Sequence, residues 1–99
     1  MKLVVADSAW RSLAMLTDHW SDFKTHESIV QRVDELWDAV DWLLEHPTAG
    51  QFEDNMEDLG LGHRRWIVQE IKIVYRSIGP ILLVTDFFDS RQDPSRMKG

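Results

Sequence analysis

Residues 81–88, ILLVTDFF, form an apolar run bounded by a Gly-Pro turn on one side and the polar stretch DSRQDP on the other. A run of this length and composition reads as a central strand with both faces covered or nearly so. The rest of the chain must then supply neighbouring strands and a covering layer. The segment IKIVYRS (71–77) alternates Ile71/Ile73/Tyr75 with Lys72/Val74/Arg76, the period of a half-buried strand. HRRWIV (63–68) reads as a third strand, and the short turns at Gln69–Glu70 and Ile78–Pro80 predict an antiparallel meander. KLVV (2–5) predicts one more strand at the N-terminal end.

Between these strands lie two helical patterns. Asp7 or Ser8 is the expected cap of the first, whose apolar positions Ala9, Leu13, Leu16 and Trp20 share one face. Thr25 or Ser28 starts the second. There Ile29, Val33, Leu36, Trp37, Val40, Leu43 and Leu44 form the apolar face, and Asp34, Glu35, Asp38, Asp41 and Glu45 the acidic one. Pro47 ends it, because the residue before proline avoids the helical conformation. PTAGQFEDNMEDLGLGH (47–63) reads as a long loop with a binding or mobile role. The predicted fold is a two-layer α+β domain, β-α-α-β-β-β, over residues 1–99. A helical hairpin packs on one face of a small, mainly antiparallel sheet.

Charge divides the chain. Residues 1–62 hold four Lys/Arg against thirteen Asp/Glu, a balance of −9, whereas residues 63–99 hold seven against four, a balance of +3. The net charge of −6 argues against a nucleic-acid binder, yet the basic last third invites an anionic partner. Cysteine is absent, which excludes disulfides and thiolate metal sites and fits a reducing, cytoplasmic setting. His19, His26, His46 and His63 form no zinc-ligand pattern, so neither a metal nor a cofactor is expected. No stretch is long enough to span a membrane.

The candidate chemistry lies in the strands. With Ile71, Ile73 and Tyr75 facing the helices, Lys72, Val74 and Arg76 face away. The preceding strand adds either His63/Arg65 or Arg64/Trp66 to that open face, and Arg91 emerges from the last strand. Converging guanidinium groups repel one another unless an anion or nearby carboxylates neutralise them. They form bidentate pairs with phosphate or carboxylate. Asp86, Asp89 and Asp93 are the internal alternatives.

The element order, LLEHPTAG after the second helix, RRWIV, IKIVYRS and VTDFFDSRQDP together resemble the RelE/ParE superfamily of bacterial toxins. The resemblance implies the toxin of a type II toxin–antitoxin pair, held inactive by a cognate antitoxin and linked to growth inhibition and plasmid stabilisation. ParE-like members are associated with DNA gyrase. RelE-like members are endoribonucleases that cleave messenger RNA on the ribosome. For a nuclease, the resemblance implies Arg65, Arg76 and Arg91 as the catalytic set. For target binding, it implies Arg64, Arg65, Lys72, Arg76 and Arg91. No Tyr or His follows Arg91 to move protons, and Arg stays protonated at neutral pH. These departures favour a ParE-like toxin acting by binding. A RelE-like nuclease and a decayed toxin that only binds its antitoxin are the alternatives.

Overall fold

A computed structural model describes the chain from Met1 to Gly99. Its elements are β1 (Lys2–Val5), α1 (Asp7–Trp20), α2 (His26–Glu45), β2 (Gln51–Phe52), a 3-10 turn over Asp54–Leu59, β3 (Arg64–Val68), β4 (Ile71–Ile78), β5 (Ile81–Asp89) and a short 3-10 turn over Pro94–Arg96. The sheet runs β1-β5-β4-β3-β2. Only the β1–β5 pair is parallel; the other three pairs are antiparallel. The expected α+β layout is present, with an extra two-residue strand that pairs Gln51 with Arg65 and Phe52 with Arg64.

Both helices bury the predicted stripe against one sheet face. Ala9, Leu13, Leu16 and Trp20 of α1 and Leu36, Val40 and Leu43 of α2 meet Ile71, Ile73, Tyr75, Leu82, Val84 and Phe87. Trp37 joins the layers, its ring 5.2 Å from Trp10 and 5.4 Å, edge-on, from Phe87. Helix α2 starts at Thr25, whose side chain accepts from the Ser28 N–H at 3.2 Å. Helix α1 corrects the expected cap. Ala6 occupies the cap position without a side-chain bond, and Ser8 instead donates to the Thr85 carbonyl at 2.7 Å, pinning α1 to β5.

The other sheet face is not bare, which overturns the expected open surface. Val74 and Phe88 are buried there against Met56 of the first 3-10 turn and Met97 of the C-terminal segment. The run in β5 is therefore covered on both sides, as its composition demands. The segment read as a loop supplies this partial third layer. Gly50 makes its approach possible. A Cβ there would stand 2.5 Å from both the Arg65 carbonyl oxygen and the Tyr75 hydroxyl. That hydroxyl accepts from Gly50 N–H and donates to Pro47 O, each at 3.0 Å, locking the end of α2 to β4. No helix is long and apolar enough to cross a membrane.

Candidate functional site

Cross-strand partners project to the same side of a sheet. Arg64 lies opposite Tyr75 and Arg65 opposite Val74, so Arg64 belongs to the helix-facing side and Arg65 to the second face with Lys72, Val74 and Arg76. Arg64 serves the 47–52 segment. It donates to Thr48 O at 3.2 Å and Gly50 O at 2.7 Å, and its guanidinium sits 4.1 Å from the Phe52 ring centroid.

Arg65 and Lys72 meet around Glu53, a carboxylate only 2% exposed. Lys72 Nζ lies 3.1 Å from Oε2, Arg65 Nη1 lies 3.6 Å from it, and the Asn55 side chain donates to Oε1 at 2.8 Å. Arg65 also donates to Phe52 O at 2.6 Å and Gln51 Oε1 at 2.9 Å. Burial pushes the Glu53 carboxyl upward. The hydrogen bonds from Lys72 and Asn55, with the Lys72 charge, outweigh it and leave the pKa below its ordinary value. The acidic loop thus inserts its own anion between two of the candidate cations.

Arg91 lies elsewhere. Its Nε and Nη2 donate to the two oxygens of Asp89 at 3.0 and 2.8 Å, and Nη1 is 3.2 Å from Glu70. These bonds raise the Arg91 pKa and lower that of Asp89, whose main cause is the Arg91 hydrogen bond. Asp89 pairs with Ile71 and Leu83 pairs with Arg76. Five residues of β4 therefore separate the Arg91 end from Arg76, about 16 Å at the usual strand rise. Arg91 borders a separate cleft of about 460 Å³ with His19, Asp86 and Arg96. The expected convergence of the guanidinium groups does not occur. Each of the others finds a local acceptor first.

Arg76 is the exception. It makes no ion pair or hydrogen bond, and its Nε is buried without a partner. Beside it is His63, 3% exposed, whose ring meets no side-chain partner and lies against the backbone of Gly99. Burial, and secondarily the Arg76 charge, hold the imidazole pKa below its ordinary 6.5, so the ring is neutral at pH 7. In the sequence, His63 stands only among the histidines without a zinc-ligand pattern and as one possible neighbour of Arg65. Its place in the strand order, two residues before Arg65, was the signal for a second-face position. Its burial came from the chain that covers it.

No protein-family model matches this chain, and no curated protein does. Among solved structures, the chain is similar to one from the structure described as "Chromosomal ParDE TA system from P. aeruginosa". The TM-score is 0.76 at 17% identity, over 90% of this chain and 95% of that one. The protein therefore has the fold found in that ParDE toxin–antitoxin structure, which is the fold that the RelE/ParE resemblance implies.

Proposed function

We propose that this chain is the toxin of a type II toxin–antitoxin pair, ParE-like, cytoplasmic, and acting by binding a cellular target. A cognate antitoxin neutralises it, and DNA gyrase is the target suggested by the family resemblance. The carrying observation is the fold shared with the ParDE structure over nearly the whole length of both chains. Arg76 is the first candidate for target contact, because it alone of the five candidate cations has no internal partner. Arg64, Arg65, Lys72 and Arg91 are secondary candidates, each of which must exchange an existing bond for a new one.

The geometry favours binding over RNA cleavage. A nuclease must activate a 2′-hydroxyl and stabilise a phosphorane at one point. Arg65 is engaged with Glu53, and Arg91 is engaged with Asp89 at the far end of β4 from Arg76. Purified chain incubated with gyrase and supercoiled plasmid is expected to accumulate cleaved DNA. Cleavage of messenger RNA at fixed codon positions in a translation extract, with gyrase unaffected, would replace this reading with the RelE-like one.

A further inference from the structure

Three carboxylates are buried in this chain, and two of them hold cations. Glu53 meets Lys72 and Arg65, and Asp89 meets Arg91. Asp86, 1% exposed, takes part in no ion pair. The Lys98 N–H donates to its Oδ2 at 2.9 Å. The Ser12 hydroxyl and Phe87 N–H are further neutral donors beside the carboxyl, and the Lys98 charge acts on it only from a distance. Oδ1 is buried without a hydrogen bond of normal geometry. Neutral donors offset only part of the cost of burying a carboxylate. Burial accordingly pushes its pKa up, against those bonds.

Asp86 lines the cleft of about 460 Å³ that Arg91 borders, as do the next three residues, Phe87 to Asp89. Successive strand side chains point to opposite faces, Phe87 into the helix-side core and Phe88 into the second-face cluster. A cleft lined by all four therefore lies at the edge of β5. That edge is free because β1 ends at Val5, opposite Val84. The other wall is one stripe of α1, Ser12, Met15, Leu16 and His19. Met15, 72% exposed, and Leu16 make this wall apolar. Arg91 and Arg96 complete the lining, the first neutralised by Asp89 and Glu70, the second exposed and in no ion pair.

We propose that this cleft is a recognition pocket for one basic side chain, lysine or arginine, presented by a protein partner, with Asp86 as its anchor. An aliphatic stem that ends in a cation matches an apolar wall beside a buried carboxylate. A free inorganic cation would gain nothing from Met15. The Arg96 charge opposes a second cation, so the pocket takes a single basic residue rather than a run of them. Arg76 has no part in it, so this pocket and the target contact proposed above fail independently.

N-acetylarginine amide and N-acetyllysine amide are the probes. Binding is read through the Asp86 carboxyl and Met15 methyl resonances of the isotope-labelled chain, at pH 8 and constant ionic strength. At least one amide is expected to shift both signals saturably. N-acetylglutamine amide should bind at least tenfold more weakly. Asp86→Asn should lose at least tenfold in affinity with its circular dichroism spectrum intact, and Arg96→Gln should gain about twofold. The wild-type chain answers even where Asp86→Asn does not fold. Its carboxyl resonance follows the titration of Asp86, and affinity should fall as pH drops through that titration. The other charged or titratable groups around the carboxyl are His19, Asp89, Arg91, Arg96 and Lys98. His19→Gln, which should keep the same pH dependence, separates the imidazole. No saturable shift from either basic amide would overturn the pocket. Equal affinity for the glutamine amide, or in folded Asp86→Asn, would overturn the anchor. Guanidinium chloride binding as tightly as the arginine amide would overturn the role of the stem. Tighter binding of N-acetylglutamate amide would overturn the charge assignment and give the cleft to Arg91 and Arg96.

Discussion

Glu53 and His63 are buried side by side in the covered face but respond oppositely to their neighbours. Glu53 is anionic and ion-paired with Lys72 and Arg65, so replacing it strands both cations. Glu53→Ala is expected to lower unfolding free energy by about 1–3 kcal/mol, the range for a buried charged group that loses its partner while solvent screens part of the loss. Urea denaturation measures it. His63 controls the mildly acidic range. Its folded pKa is depressed, so its contribution is complete above the ordinary 6.5 and is lost as pH falls through the lower folded value. Glu53 and Asp89, also depressed, act the same way but only below the ordinary 4.5 and 3.8. Asp86 is raised by burial and opposes them, gaining stability from protonation. Between pH 7 and 5 the urea midpoint should therefore fall more steeply in the wild-type chain than in His63→Gln, where the opposing contribution of Asp86 remains. An unchanged slope in that variant would remove His63 from the account.

The segment from Pro47 to His63 is the element on which the site depends. It has no apolar period, so sequence alone reads it as a loop. Its strand exists only because Gln51 and Phe52 pair with β3, and its burial depends on Glu53 reaching Lys72 across nineteen positions. Neither contact leaves a local trace. The helices and β3–β5 were legible because periods of 3.6 and 2 are written along each element. The side on which Lys72, Val74 and Arg76 lie followed from the same alternation. Arg91 shows the limit of that reasoning. Its position after β5 was readable, but Asp89, two residues before it, claims its guanidinium. Gly50 tests the segment's docking. Gly50→Ala is expected to cost about 1–3 kcal/mol, as overpacking does, because a main-chain oxygen of β3 blocks the new methyl. Thermal unfolding followed by circular dichroism is the check. Tyr75→Phe should cost a similar amount by leaving Gly50 N–H and Pro47 O unpaired.

At the scale of the molecule, an acidic helical layer and a basic strand region share one sheet, but most of the positive charge is spent internally. Of the five candidate cations only the Arg76 guanidinium is left for a partner, next to a neutral buried imidazole and a flank of exposed apolar side chains. Such a surface suits recognition of a specific protein better than wrapping by a nucleic acid. The central claim is that the chain arrests growth and that a partner encoded beside it relieves the arrest. Viable counts after induced expression in a bacterial host test this most directly, with the chain alone, with its neighbouring gene product, and as Arg76→Ala. The account predicts a fall in counts for the chain alone, full recovery with the partner, and loss of the effect in Arg76→Ala with its circular dichroism spectrum intact. Undiminished counts when the folded wild-type chain accumulates alone would contradict it.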